Sequence, residues 1–519
     1  MSSPFDKLPA ELYDKVFHPM HLLSSCRYSH PYKVFEYIAL PYWEIPDRKP
    51  TRPGSDDVHS FDHVINVHRG PFGHYIHTRP RPGDLQLRLV NHACNCAMLR
   101  VYFKYEGLSF NAGRWHALER FKEHILRNDG KAWSIASAVE KLNVSLSTGE
   151  YAVGSIFYKE HSKSRRWKKQ LNENEKFDED AERLKSFLDA GVLAQAVRKM
   201  PKLESLIVHL PEEWRDGYPS DYDEVDDEGN TCGEQLRLDL LRSVREAVAA
   251  IFEPQAALTA SPTIDSGTGH LACLTYLRLT LPCAYDFARV ASCMPDTVAS
   301  RLRHLYMEIV DGTGKGGDLE DDEDHPSSNL QREYPNTTHM RDMCELVNRC
   351  KNLESLGLVG TQCIDLEGLQ WWPTSGGLKN IYLSRVVGTA DKLLTLLSSK
   401  NGACNIEAFE IEDVQLVDGT WESVFARLLT SPSLLHFHVY NLVYNRYGKS
   451  AHLRLYNGRP WENVSVIWTE NHGDVARLRD VVGVVKAHGY SVNDEMDEFL
   501  DSQDEGHDGN EDYTVEPIH

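Results

Sequence analysis

The stretch Asp311-Gly-Thr-Gly-Lys-Gly-Gly-Asp318 has residue types that could do chemistry, since backbone N–H groups and a lysine among glycines can cradle a phosphate. A phosphate loop also needs a glycine five residues ahead of the Gly-Lys pair and Ser or Thr after the lysine. Ile309 and Gly316 occupy those places, so the stretch reads as a flexible loop. Lys163, Arg165, Arg166, Lys168 and Lys169 surround Trp167. A nuclear-import signal or phosphate patch is one reading of that run, and a solvated turn ahead of the charged helix around Asp178–Ala190 is the favoured one. Cys94-x-Cys96 lacks the second ligand pair that a zinc site usually shows. His436 and His438 fall two apart on one strand face and read as surface polar positions rather than a metal pair. No G-x-G-x-x-G, H-E-x-x-H or G-x-S-x-G motif occurs. The sequence therefore assigns no catalytic residue, no metal ligand and no cofactor.

Charge narrows the partners. The 77 acidic against 56 basic residues give a formal charge of −21, which repels nucleic-acid phosphates, so no nucleic-acid partner is expected. Much of the acidity lies in Glu212–Glu228, Asp318–Asp324 and Asp494–Asp512, which read as solvated loops and a tail. No apolar run approaches the length of about 18 residues that a membrane helix needs, and no membrane partner is expected. Met1-Ser-Ser-Pro-Phe-Asp-Lys has no basic stretch followed by an apolar one, so secretion is not expected. The 11 cysteines, an odd number, fit reduced and buried thiols in the cytoplasm, the nucleus or both.

The elements that must position any site announce themselves by repetition. Leu353-x-x-Leu356-x-Leu358 is restated as Leu378-x-x-Ile381-x-Leu383, Ile406-x-x-Phe409-x-Ile411 and Leu434-x-x-Phe437-x-Val439, starting 25, 28 and 28 residues apart. A period in this range marks units that bury their apolar face only against neighbours. The second and third apolar positions are two apart, hence on one side of a short strand. Earlier statements are Leu203-x-x-Leu206-x-Val208, Leu274-x-x-Leu277-x-Leu279 and Leu302-x-x-Leu305-x-Met307. Val139–Leu146 is a strand candidate of the same type, preceded by helical spacing. The spacing resembles that of leucine-rich repeats. The expected fold is α/β: a leucine-rich-repeat-like solenoid of strand–helix units with a short N-terminal helical segment.

The expected organisation follows the chain. Residues 1–45 form the N-terminal helical segment, and 46–57, with Pro46, Pro50, Pro53 and Gly54, a linker. Residues 58–210 hold irregular early repeats, with strands at His63–His68 and Leu99–Phe103 and a helix over Leu85–Ala97. An acidic insertion and connecting helix take 211–273, and the solenoid runs over 274–468 with a second acidic insertion at 312–328. Trp461–Trp468 reads as a last strand, 469–493 as a capping helix centred on Asp474–His488, and 494–519 as a disordered acidic tail.

In the N-terminal segment, Pro9 suits the first turn of a helix whose Leu8, Leu12 and Val16 share a face, with Phe17 beside them. Leu8-Pro9-x-Glu11-Leu12-x-x-x-Val16-Phe17 resembles the opening of an F-box, and Pro41-Tyr42-Trp43-Glu44-Ile45 resembles its close. The middle, Ser24–Tyr32 with Pro31, departs from the family pattern. The resemblance implies that Leu8, Pro9, Leu12, Val16 and Phe17 dock a Skp-type adaptor of a cullin ubiquitin ligase, while the repeats recruit a protein substrate. The other reading of the same segment is an apolar cap over the first repeat of a non-catalytic interaction scaffold.

Overall fold

The computed structural model describes residues 65–70, 73–78, 108–111, 118, 121–126, 136–146, 182–210, 234–253, 271–311, 329–373, 376–444, 466–467, 469 and 471–488. Several sequence expectations lie outside these residues. They are the whole segment 1–57 with Leu8, Pro9, Leu12, Val16 and Phe17, the Leu85–Ala97 helix, Cys94 and Cys96, and the Leu99–Phe103 strand. The basic run at 163–169, both acidic insertions, the glycine-rich loop past Asp311 and the acidic tail lie outside them too.

The strand expected at His63–His68 is displaced. It runs over Ile65–Gly70 (β1) and pairs antiparallel with Gly73–Thr78 (β2), closing on Gly70 opposite Gly73. Only Pro71 and Phe72 separate the two strands in sequence, and a link that short joins antiparallel strands, never parallel ones. This hairpin is not a unit of the strand–helix series.

The series itself is an α/β arrangement in which strands alternate with helices, divided into two compact units. The first takes the chain through Ile364 together with Gly368–Trp372. Its sheet has six strands in chain order: β3 (Leu108–Asn111), β4 (Lys141–Ser145), β5 (Ser205–His209), β6 (Tyr276–Leu281), β7 (His304–Ile309) and β8 (Ser355–Asp365). Every neighbouring pair is parallel. Parallel pairing requires a crossover after each strand, and these include α1 (Val192–Arg198), α2 (Glu234–Phe252), α3 (Ala284–Cys293), the single turn α4 (Asp296–Ala299), α5 (Asn329–Glu333) and α6 (Asn336–Arg349). α1 packs on α2, α2 on α3 and α3 on α6, so the long helices form a second layer.

The repeated motif explains both layers. Leu203, Leu206 and Val208, and the matching residues of the statements at 274, 302 and 353, are all buried, as are Val139, Leu142, Val144 and Leu146 of the early candidate. Each such side chain contributes about 1.5–3 kcal/mol on full burial. The alternation holds the apolar residues toward the helices and leaves the intervening ones on the opposite strand face. One hydrogen-bond arrangement recurs at the strand starts. A single carbonyl accepts two successive N–H groups of the next unit: Glu140 O from Glu204 and Ser205 (2.7 and 3.0 Å), Glu204 O from Thr275 and Tyr276 (2.9 and 3.0 Å). Thr275 O accepts from Arg303 and His304 (2.8 and 3.0 Å), and Arg303 O from Glu354 and Ser355 (2.7 and 3.0 Å).

The second unit takes Asp365–Glu367 and the chain from Pro373. It contains β9 (Asn380–Thr389), β10 (Ala408–Asp418) and β11 (His436–Tyr440), again parallel and in chain order, with the two-residue β12 (Val443–Tyr444) beside the end of β10. The carbonyl arrangement returns at Lys379 O, which accepts from Glu407 and Ala408 (2.7 and 3.0 Å), and at Glu407 O, which accepts from Leu435 and His436 (2.8 and 3.1 Å). Strands feed straight into helices. Thr389 ends β9 and caps α7 (Ala390–Leu396) by accepting from Lys392 N, and Thr420 caps α8 (Trp421–Leu428) by accepting from Ser423 N. α9 (His472–Ala487) corresponds to the expected capping helix and packs on α8. Where a last strand was expected over Trp461–Trp468, the described residues show one isolated parallel bridge, Leu442 to Ile467.

Candidate functional site

The residues between the buried motif positions build the polar strand face of each unit, and that is where recognition chemistry would sit. In the first unit β6 places Tyr276, Arg278 and Thr280 there, β7 places His304, Tyr306 and Glu308, and β8 places Ser355, Gly357 and Val359 in register beside them. The Arg278 guanidinium lies over the Tyr306 ring at 4.6 Å, and Thr280 Oγ1 donates to Glu308 Oε2 at 3.1 Å. Gly357 makes this possible: a Cβ there would come within 2.1 Å of the edge of the Tyr306 ring. Arg278, Thr280, Tyr306, Glu308 and Ser355 are all buried.

His304 Nδ1 lies 2.9 Å from Ser355 Oγ, a pairing of the kind that activates a nucleophile. Ser355 has no exposed surface, so no substrate reaches its hydroxyl, and the pair works as a cross-strand hydrogen bond. Arg303 to Glu354 (2.6 Å) flanks it at the exposed strand starts. On β5, Ser205, Ile207 and His209 keep part of their surface open.

In the second unit β10 carries Glu410 and Glu412 on the corresponding face, and β11 carries His436, His438 and Tyr440. The two histidines expected at the surface keep only part of it open. His438 Nε2 lies 3.5 Å from Glu412 Oε1, His436 Nε2 lies 3.9 Å from Glu410 Oε2, and both rings are half-buried. The His436 Nε2 is enclosed altogether, and burial, with His438 beside it, pushes His436 down to about 3. His436 is therefore a neutral ring at physiological pH. Tyr382 on β9 completes the patch by donating from its hydroxyl to Glu412 Oε2 at 3.5 Å. The histidines turn to different carboxylates. Among the described residues no group of three or more His, Cys, Asp or Glu side chains is arranged to hold a metal ion.

One periodic feature of this face escaped sequence reading. Arg385, Asp413 and Asn441 have φ of 57°, 52° and 48°, the left-handed region that non-glycine residues seldom enter, and they sit 28 residues apart. Each is the seventh residue after its motif start. Asn441 Nδ2 donates to Asp413 Oδ1 at 2.8 Å, joining two units at the bend. Burial raises the Asp413 carboxyl, while Asn441 and Arg385 pull it back. Part of the signal was present in the sequence, since Asp and Asn tolerate this conformation. Arg385 hid it.

The geometry offers charged, imidazole and aromatic side chains at fixed strand spacing. The N-terminal residues Leu8, Pro9, Leu12, Val16 and Phe17 lie outside the described part, so the structure brings them to no site. Among the described residues no helix is long and apolar enough to cross a membrane. No protein-family model matches the chain, and no curated protein matches it.

Proposed function

We propose that the chain is a non-catalytic recognition protein, a leucine-rich-repeat-like solenoid that serves as substrate-recognition subunit of a Skp-cullin-F-box ubiquitin ligase. The observation that carries the recognition half is the coincidence of motif and geometry. Successive Leu-x-x-Leu-x-Leu statements open successive parallel strands, and the same carbonyl arrangement holds regular and interrupted units alike. Such units present one polar strand face in series, as binding solenoids do. In this reading the partly open positions on the β10–β11 face of the second unit, Glu412, His438 and Tyr440, meet the protein substrate. The ligase half rests on the resemblance of Leu8, Pro9, Leu12, Val16 and Phe17 to an adaptor-docking helix. The protein would supply proximity and orientation while its partners carry out ubiquitin transfer. Among the described residues Cys273, Cys283, Cys293, Cys350 and Cys404 are free thiols, in keeping with a reducing cytoplasm or nucleus.

The second reading is an interaction scaffold without an adaptor, favoured by the departure of Ser24–Tyr32 from the F-box pattern. Co-precipitation separates the two. Tagged full-length protein is expected to retain the Skp-type adaptor, and protein lacking residues 1–45 to lose it. Absence of adaptor from the full-length sample rejects the ligase reading and leaves the scaffold. Retention by both forms moves the contact away from Leu8–Phe17.

A further inference from the structure

The helix layer of the first unit buries a carboxylate beside a guanidinium in a way that the packing alone does not call for. Asp286, in the first turn of α3, and Arg245, on α2, are both buried, with Arg245 Nη1 3.6 Å from Asp286 Oδ1. At that distance the two attract without a hydrogen bond, and neither atom has a hydrogen-bond partner. The other carboxylate oxygen is engaged: Cys283 N donates to Asp286 Oδ2 at 2.9 Å and Cys283 Sγ at 3.2 Å, capping α3. Asn336 Oδ1, from α6, accepts the N–H of Ala284 at 2.7 Å.

From this same position Arg245 also meets two aromatic rings. Its guanidinium carbon lies 5.0 Å from the Tyr285 ring centre and 4.8 Å from that of Tyr334, two rings stacked at 4.0 Å. His339 meets Tyr285 edge-on at 4.8 Å, and Arg245 Nε donates to Glu246 Oε1 at 3.2 Å. The remaining charged groups around the cluster have partners of their own: Arg289 lies 3.6 Å from Glu246, and Arg242 2.7 Å from Glu333. Asp311, just past β7, adds negative charge.

We propose that Asp286 and Arg245 form a proton-dependent clamp. Ionised, the carboxylate draws the guanidinium against the first turn of α3; protonated at Oδ1, it gives Arg245 up to the two tyrosine faces and Glu246 while the Cys283 cap stays in place. The assignment of the proton follows from the hydrogen bonds, because Oδ2 is occupied and Oδ1 is not. Burial pushes Asp286 up from 3.8 to about 6, against the pull of Arg245, so the clamp operates near physiological pH. The folded-state value is the raised one. Between about 6 and 3.8 the folded chain therefore holds a proton that the unfolded chain does not, and this group stabilises the fold as pH falls.

Near-ultraviolet circular dichroism of the full-length protein, taken from pH 7.5 to pH 5, reads the surroundings of Tyr285 and Tyr334. The difference between wild type and Asp286→Asn removes the signal from histidines common to both. That difference is expected to follow a one-proton curve centred near pH 6 and to vanish at the acid end; a flat difference overturns the clamp. Arg245→Met provides an independent arm if Asp286→Asn fails to fold. Removing the cation should abolish the one-proton step in the tyrosine signal, and a step that persists unchanged overturns the proposal.

Discussion

At the scale of single residues, the polar strand faces depend on exact complementarity between neighbours that are remote in sequence. Gly357 is the sharpest case, since Tyr306 lies across it from the adjacent strand. Gly357→Ala drives a methyl group into that ring, and overpacking of this kind costs about 1–3 kcal/mol. Urea titration of the variant should show a lower midpoint with an unchanged slope; an unchanged midpoint would mean that Tyr306 moves aside freely. Nothing in the sequence marks this glycine, because its need is created by a residue 51 positions earlier. The same holds for Arg245 and Asp286, which are adjacent only because α2 and α3 pack together. His436 and His438 were legible as a strand-face pair, but their burial was not, because period two gives a side and not what covers it.

At the scale of elements, the sequence motif was a good guide to strands and a poorer one to their ends. Each Leu-x-x-Leu-x-Leu statement opens a strand two residues after its first leucine, since that leucine belongs to the preceding turn, as the bonds from Leu203 N to Met200 O and from Leu274 N to Leu271 O show. β8, β9 and β10 run on well past the motif, and on β9 and β10 the strand passes through a left-handed residue. α9 was legible from its apolar spacing, but its anchor was not. Asp474, buried in its first turn, accepts from Glu422 N (2.7 Å), Tyr444 Oη (2.7 Å), Thr469 Oγ1 (2.6 Å) and Asn471 Nδ2 (3.1 Å). This one carboxylate satisfies the start of α8 and fixes α9 against it. Asp474→Ala leaves those donors without their acceptor and should destabilise the second unit by about 3 kcal/mol. Hydrogen exchange at the α8 and α9 amides would show faster opening there, and equal rates in wild type and variant would refute the anchoring role.

At the scale of the whole molecule, the two units carry titratable groups of opposite effect. Asp286 in the first unit stabilises as pH falls toward 3.8. His436 in the second has its folded-state value depressed from 6.5 to about 3, so the folded chain resists a proton that the unfolded chain accepts. Its contribution is complete above 6.5 and is lost as pH falls through that window. Mild acid is therefore expected to loosen the second unit relative to the first, and His436→Gln to reduce that loss. Exchange rates at β11 amides, compared at pH 7 and pH 5 after correction for intrinsic rates, test it; parallel behaviour of wild type and variant would exclude His436 as the source.

The shared carbonyls at the strand starts carry a last implication. In the first unit they link residues 64, 71, 28 and 51 positions apart, and the paired hydrogen-bond lengths scarcely change. Registration between neighbouring strands is thus decoupled from how much chain lies between them. Closing a flexible loop grows in cost only logarithmically, so lengthening a connection from 28 to 71 residues adds about 0.8 kcal/mol. Segment length behaves as a nearly neutral variable in such a molecule, and added sequence can drift in size and composition without disturbing the strands on either side. A reporter domain spliced between Pro211 and Gly233 should leave the melting transition of the first unit almost where it was.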